Sequence, residues 1–414
     1  MRTRNLKAIG ATCAVLLAMA ACGGDDESDG GDSGGGGAGG TPDSITIGVV
    51  TSLTGPTAAT YGDAAQRGVD ARLAAYADEG GACSDVDFEV VVADDASSPA
   101  GALSAYQKLI QQDEVYAVLS ASAFTFGAAQ YLTTQAQDVP VLGDASDQNP
   151  VWVQTDNNLF PATPIQNPGA VYETIGKYLD TVGATRIGGA AFGVSESSQN
   201  ALQAAVDSAA AVGIDEGYVN KDVPFGSSDV GAIVLGIRDS GADALYLPIT
   251  LDTTLAIATG LRQADIEMAA ILAATGYGND LLQSAPAVEA AQGVSFSIAY
   301  APVELETEAT RQLQSALQDQ GSATGIPTYT EIAGWNDTDL LLHGLEGAGC
   351  DASGAEFISF LQGDATWDSN GLFPQTVDFT TDSVDELCQY FVTLEGEEFV
   401  PVEGASPLCG ALIE

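Results

Sequence analysis

The sequence predicts a mixed α/β protein with two lobes, each built on a mostly parallel sheet flanked by helices. From Ser44 onward, short apolar runs alternate with segments of helical periodicity. That alternation is typical of parallel sheets that helices cover on both faces. Two series of similar size occur, one before Pro161 and one after it, in a chain of 414 residues that is long enough for two or three domains.

The first series begins with the apolar run 45–50. Further strands of this series are predicted at 88–93, 115–119 and 139–142. Apolar residues at three- and four-residue spacing predict a helix over 61–76. Ser98-Pro99 predicts the start of the next helix, because a serine caps the first turn and proline is favoured at the first helical position.

The second series follows the same pattern. Strands are predicted at 186–192, 244–249, 269–273 and 294–299, with helices at 172–182, 195–212 and 255–261. Two later helices are predicted at 304–320 and 337–346, and two short strands at 375–379 and 390–394. The sequence contains no repeat of 20–50 residues.

The N-terminal segment has the pattern of an export signal. Three basic residues precede an apolar stretch over 8–21, which is too short to span a bilayer comfortably. The stretch ends in Met19-Ala20-Ala21-Cys22, which resembles the lipobox of bacterial lipoproteins. We therefore expect 1–21 to be a signal peptide, Cys22 to be lipidated and 22–43 to be a flexible Gly/Ser/Asp linker. The alternative is an ordinary cleaved signal with an incidental cysteine.

The composition excludes several classes of function. The chain has 12 Lys+Arg against 57 Asp+Glu, which disfavours nucleic-acid partners and docking onto anionic lipid by charge alone. The chain has a single histidine, His343, so zinc sites with several histidine ligands are excluded and catalytic triads that use histidine as the base are disfavoured. The sequence has no GxSxG elbow between a predicted strand and a predicted helix, no HExxH motif and no phosphate-binding loop. We expect no enzyme activity, no cofactor and no metal.

Four cysteines follow the N-terminal segment: Cys83, Cys350, Cys388 and Cys409. An even number in an oxidising compartment indicates disulfides, for which three connectivities are possible. We favour Cys388–Cys409, which would hold the C-terminal segment, and this choice leaves Cys83–Cys350 as the second bridge.

A ligand is expected beyond the carboxyl ends of the strands, where loops and helix N-termini meet. Ser120-Ala121-Ser122-Ala123 follows one predicted strand, and the loop from Asp144 to Pro150 follows the next. Hydroxyls and free N–H groups at such a place attract carboxylates. The alternative for the serines is plain helix capping. Asp94-Asp95 is interpreted as solvated surface, because acidic pairs abound in this chain.

The segment 45–55 (ITIGVVTSLTG) resembles the first strand and loop of the leucine/isoleucine/valine-binding family. These are type 1 periplasmic binding proteins, the solute receptors of ABC importers. Further similarity occurs at Asp94-Asp95, Ser98-Pro99 and Asn149-Pro150, and again at Thr366-Trp367-Asp368. The resemblance covers about residues 44 to 403, and the order and spacing of these loose motifs make it specific.

The resemblance implies two lobes joined by three crossing segments, with the ligand in the cleft. The first lobe would contain 44–150 and 300–375, and the second 151–299 and 376–414. The residues placed at the family's ligand positions are Ala121, Ser122, Ser146, Gln148, Thr250 and Thr275. Three positions depart from the family. Gln148 occupies a position that is threonine in the family. The segment Pro248-Ile249-Thr250 lacks the aromatic residue that the family usually has there. Thr275 occupies the position at which an acidic residue of the family binds the ammonium group of the ligand.

The resemblance further implies an extracytoplasmic, lipid-anchored monomer that binds a small polar or amphipathic nutrient. A branched-chain amino acid or a related amide or carboxylate is the default ligand. Hinge closure would present the loaded protein to the permease subunits of an ABC importer. The alternative is a sensor of the same fold that feeds a signalling partner.

Overall fold

The computed structural model describes residues 42–164, 169–225, 227, 229–363 and 365–413. The predicted signal peptide, Cys22 and nearly all of the predicted linker lie outside these residues. Within the described part of the chain, every helix is too short or too polar to span a lipid bilayer.

The first sheet is parallel, as the alternating pattern predicts. Its strands are β1 (Ser44–Thr51), β2 (Asp87–Asp94), β3 (Ala117–Ala121), β4 (Val141–Gly143) and β5 (Leu159–Pro161). They lie in the order β2-β1-β3-β4-β5. Every residue of β3 and β4 is buried, which explains their continuous apolar runs. Because β5 ends at Pro161, this sheet extends beyond residue 150, and the division into lobes remains a prediction.

The second sheet is mixed. The remaining strands are β6 (Arg186–Phe192), β7 (Asp215–Val223), β8 (Ala244–Leu247), β9 (Ala270–Ala273), β10 (Val294–Ile298), β11 (Thr366–Trp367), β12 (Val377–Asp378), β13 (Glu386–Glu395), β14 (Glu398–Pro401) and β15 (Leu408–Ala411). The sheet has the order β14-β13-β10-β9-β8-β6-β7, with β15 on β13. Strands β6 to β10 pair in parallel, whereas β13 runs antiparallel to β10. The separate pair β11 and β12 is antiparallel.

The helices cover both sheets. They are α1 (Ala64–Glu79), α2 (Pro99–Gln111), α3 (Ala129–Gln135), α4 (Thr174–Thr181), α5 (Glu196–Ala211), α6 (Gly231–Ser240), α7 (Leu251–Gln263), α8 (Asn279–Leu282), α9 (Ala285–Ala290), α10 (Glu308–Asp319), α11 (Tyr329–Ala348) and α12 (Gly354–Leu361). Ser98 caps α2 by accepting the Gly101 N–H, with Pro99 at the first position as predicted. Helix α11 is twice as long as the predicted helix 337–346.

Helix α11 packs against α1 and α12 and against β3 and β4 of the first sheet. Fifteen of its residues are buried, so it shows no single apolar stripe. Its first turn is closed by a capping box between Thr328 and Glu331. It packs so closely on α1 that a Cβ at Gly68 would lie 2.0 Å from the Glu331 carbonyl oxygen. Only glycine permits this approach.

An ion-pair network joins the same two helices. Arg72 is 4% exposed and bonds Asp339 at 2.7 Å and Glu79 at 2.8 Å. The indole N–H of Trp367 donates to the second oxygen of Asp339 at 2.7 Å. A buried guanidinium paired in this way fixes α1 against α11.

Consecutive described elements switch between the sheets at three places: after β5, after β10 and before β13. This arrangement is consistent with the two-lobed fold that the resemblance implies. Disulfides join Cys83 to Cys350 and Cys388 to Cys409, the pairing that we favoured from the sequence. Cys83 follows α1 and Cys350 follows α11, so the first bridge ties the ends of the two packed helices.

Candidate functional site

Two adjoining cavities lie between residues of the first and second sheets. Their volumes are about 230 Å³ and about 290 Å³, suited to a small ligand. The residues that line both are Asp144, Thr163, Tyr246, Ala299, Tyr329 and Gln389. We call these two cavities together the cleft. Its first wall comes from the ends of β4 and β5 and from α11, and its second wall from β8, β9, β10 and β13.

Asp144 is the charged residue of the first wall. It follows β4 directly, at the carboxyl end of a parallel strand. Its carboxylate accepts the Ser146 N–H at 3.2 Å and the Tyr329 hydroxyl at 3.2 Å. Burial raises the pKa of Asp144 to about 6, and the hydrogen bonds from Ser146 and Tyr329 oppose that rise. Its side chain is half-buried, and near neutral pH it is therefore a partly desolvated anion with unused acceptor capacity.

Two tyrosines, Tyr61 and Tyr329, lie close to this carboxylate. Tyr329 opens α11, and its ring meets the Tyr61 ring edge-on with centroids 6.0 Å apart. Burial, and then the charge of Asp144, raise the pKa of Tyr61 and of Tyr329 above the usual range. Both phenols therefore remain neutral, and Tyr329 holds Asp144 in place as a hydrogen-bond donor.

The second wall is neutral and aromatic. Tyr246 in β8 faces both cavities, and no described residue makes a hydrogen bond with its hydroxyl. Burial raises the pKa of Tyr246 to about 12. Tyr277 follows β9, donates its hydroxyl to Glu304 at 2.7 Å and accepts the Val303 N–H at 3.0 Å. These bonds fix the Tyr277 ring at the cleft.

Further apolar and polar groups complete the lining. Phe296 in β10, Tyr300 and Phe373 line the first cavity. Gln389 in β13 lines both cavities, and its side-chain oxygen is buried without a hydrogen-bond partner among the described residues. A buried acceptor without a partner carries a desolvation cost that a donor on a ligand would relieve.

The structure places the predicted ligand residues in different surroundings. Thr275 lines the first cavity, and Ser146 and Gln148 line the second. Ala121, Ser122 and Thr250 line neither cavity. Ligand contact by each of the six residues remains a prediction.

Ser122 is engaged in a network inside the first lobe. It is 1% exposed, donates its hydroxyl to Asp95 and accepts the Phe124 N–H at 3.1 Å. Asp95 also accepts the Ser52 hydroxyl at 2.6 Å. Because Asp95 is fully buried, our interpretation of it as solvated surface is wrong. This carboxylate ties together loops that follow β1, β2 and β3.

Sequence reasoning missed several groups of the cleft, of which Asp144 and Tyr246 show why. Asp144 belonged to a loop that we singled out, yet the resemblance directed attention to Ser146 and Gln148. The available signal was an acidic residue directly after a buried strand. Tyr246 lies within a strand, where an aromatic residue predicts core packing rather than a site.

The cleft contains charge of one sign. Among the described residues that line it, Asp144 is the only carboxylate, and none is lysine, arginine or histidine. A possible metal cluster among the described residues comprises Glu386, Cys388 and Cys409, but both cysteines are used in one disulfide. It offers a metal only one free ligand group.

Comparison with known proteins identifies the architecture. A family model described as periplasmic binding protein matches residues 44–398. A search of curated proteins finds no match.

Three solved structures illustrate the likeness. One is the branched-chain amino acid transporter substrate binding protein LivJ from Streptococcus pneumoniae in complex with isoleucine. It is 21% identical with a TM-score of 0.70, over 87% of this chain and 99% of that one. A solute binding protein of an R. palustris ABC transporter, in complex with benzoate, is 16% identical with a TM-score of 0.69, over 88% and 97% of the chains. A fatty acid ABC transporter substrate-binding protein from Thermomonospora curvata is 18% identical with a TM-score of 0.68, over 90% and 92%. At these identities the likeness shows the fold alone.

Proposed function

The chain belongs to the periplasmic binding protein family, and from that membership we propose that it captures a small polar or amphipathic solute for an ABC importer. The ligand would sit in the cleft and be held by both lobes. No catalytic step is part of this proposal.

The observation that carries the proposal is the make-up of the cleft. Asp144 and Tyr329 reach it from the first lobe, and Tyr246 and Thr275 reach it from the second. A ligand that contacts both walls stabilises the closed arrangement relative to the open one, since its affinity then differs between the two states. The three connections between the sheets would bend as the hinge.

The transport partner is proposed from the relatives. The solved structures similar to this chain include ABC transporter binding proteins for isoleucine, benzoate and fatty acid. By that analogy the closed, loaded form is recognised by permease subunits in the membrane, and the protein acts as a monomer. A branched-chain amino acid, a related amide or a carboxylate is the ligand range that this analogy suggests.

The location is proposed from the N-terminal sequence. A signal peptide over 1–21 and a lipidated Cys22 would place the protein outside the cytoplasm, anchored to the membrane by its N-terminus. The segment 22–43 would act as the tether. Replacement of Cys22 by Ala should abolish labelling by a radioactive fatty acid precursor in the producing cell, and labelling that persists would contradict the anchor.

The proposal is tested by ligand-induced stabilisation combined with solution scattering. The full-length protein in detergent is screened against amino acids, amines, amides and carboxylates. A ligand at about 100 times its dissociation constant should raise the free energy of unfolding by about 2.7 kcal/mol. The same ligand should reduce the radius of gyration, because the lobes close on it. Stabilisation without compaction would contradict hinge closure.

A further result would separate importer from sensor. Reconstituted permease subunits should hydrolyse ATP faster in the presence of the loaded protein than in the presence of the free one. If a ligand closes the protein but no permease responds, the fold serves a sensor.

A further inference from the structure

The charge inside the cleft restricts which solutes it accepts. Asp144 lines the cleft half-buried, and no described lysine, arginine or histidine lines it. Arg72 pairs with Asp339 and Lys177 with Glu173 outside the cleft. A ligand anion would have to be buried beside this carboxylate without a positive partner, which is costly in a low-dielectric site. The formal charge of the whole chain, -45, also disfavours the approach of anions.

The hydrogen-bonding groups of the cleft are complementary to a donor. Asp144 accepts two hydrogen bonds from the protein, and a carboxylate can accept about four. The side-chain oxygen of Gln389 lines the same two cavities, and it is buried without a partner among the described residues. An ammonium group offers three N–H donors and would use both acceptors.

The remaining lining suits the body of such a ligand. Tyr246, Phe296 and Tyr300 provide aromatic surface in the first cavity. Aromatic faces attract cations and also bury apolar carbon. Thr275 is neutral, so the second wall supplies no carboxylate of its own.

We infer that the ligand is a small monocationic amine with an apolar or aromatic body, held by its ammonium group at Asp144 and Gln389. This inference rests on the proposed solute-binding function and narrows it. A carboxylate on the ligand is not required. Carboxylates that lack an amine are excluded.

The test compares four probes of similar size that differ in charge. They are 2-phenylethylamine (cation), 2-phenylethanol (neutral), 3-phenylpropionate (anion) and phenylalanine (zwitterion). Calorimetric titration of the full-length protein at pH 7.5 and physiological salt measures each dissociation constant. We expect 2-phenylethylamine to bind at least about tenfold more tightly than 3-phenylpropionate, and phenylalanine to bind no more tightly than the amine.

Asp144→Asn locates the interaction. It keeps an acceptor oxygen and removes the charge, and should weaken 2-phenylethylamine by roughly 10- to 100-fold, as expected for loss of a charged hydrogen bond. Asp180→Asn is the matched control, because Asp180 is exposed and lies outside the cleft. It also removes one negative charge from the protein and should leave the affinity unchanged.

The outcomes separate the inference from the function on which it rests. Tighter binding of 3-phenylpropionate, or binding of phenylalanine without binding of the amine, would overturn the inference and leave solute binding intact. Equal losses in Asp144→Asn and Asp180→Asn would show that surface charge attracts the amine, which also overturns it. If neither these probes nor the wider solute screen produces binding, the proposed function fails and the inference fails with it.

Discussion

The two walls of the cleft are built on different physical principles. The first wall carries the half-buried carboxylate Asp144 and rests on α11, which is held to α1 by the buried Arg72 network. The second wall is neutral, and its ring Tyr277 packs against Phe399 with centroids 4.7 Å apart. If the cleft binds its solute as proposed, the first wall would select the ligand by charge and the second wall by shape. A ligand would then have to contact both walls to satisfy both conditions.

The largest expected effect concerns the charged support of the first wall. Arg72→Met should lower the free energy of unfolding by about 3–5 kcal/mol, because it leaves the buried Asp339 without its positive partner. Urea denaturation measures the change. Arg238→Met is the control, since Arg238 pairs with Asp239 at an exposed site and should cost less than about 1 kcal/mol. Equal losses would show that charge does not hold this wall together.

A second prediction tests the close approach of the helices under that wall. Gly68→Ala should destabilise the protein by about 1–3 kcal/mol, because the new Cβ would collide with the Glu331 carbonyl and separate α1 from α11. Thermal unfolding followed by circular dichroism measures the loss. Gly231→Ala is the matched control, since its nearest neighbour to a new Cβ lies 3.9 Å away. A Gly68→Ala protein as stable as the Gly231→Ala protein would contradict the packing described here.

The third prediction concerns the pH dependence of binding, which tests whether the negative charge of the first wall holds the ligand. The affinity for 2-phenylethylamine should be constant well above pH 6 and fall up to about tenfold per pH unit below it. The reason is that the pKa of Asp144 is raised to about 6, so at lower pH the carboxylate is protonated and must lose its proton to pair with the amine.

The groups facing Asp144 allow this titration to be attributed. Tyr61 and Tyr329 have raised pKa values and remain neutral throughout, and burial also raises the pKa of Asp147 and, strongly, that of Asp337. Calorimetry of Asp144→Asn over the same pH range is the check. If the variant retains the full pH dependence, a neighbouring acid is responsible.

The smallest effect is expected on the second wall. Tyr246→Phe removes a hydroxyl that has no described protein partner but keeps the ring, so the affinity for 2-phenylethylamine should change less than about threefold. Tyr246→Ala, which removes the ring, should weaken binding more. A large loss in Tyr246→Phe would mean that this wall recognises the ligand through polarity and not through shape.

Much of the fold follows from the sequence, for reasons visible in single elements. Strands such as β1 and β6 are nearly fully buried, so apolar runs reveal them. The edge strand β7 is mostly half-buried and polar and gives no such run, which is why it was missed. Helix α11 is buried on all sides, and only its second half was predicted because a wholly buried helix lacks periodicity.

The site was less predictable than the fold. The loop after β4 could be found by the rule that ligands lie beyond the carboxyl ends of strands. Which side chain of that loop faces the cleft depends on long-range partners, as Asp144 shows by its bond to Tyr329, 185 residues later. Ser122 shows the converse, because its partner Asp95 comes from another loop and draws it into the lobe. Pairings of this kind leave no local pattern.

Recognition of an amine by Asp144 is tested most directly by a crystal structure of the protein with 2-phenylethylamine. We expect the ligand in the cleft, with its nitrogen within hydrogen-bonding distance of Asp144 and Gln389 and its ring against Tyr246 or Phe296. A ligand bound in the cleft with its nitrogen directed away from Asp144, or bound only on the outer surface, would contradict the claim that the two walls divide charge from shape.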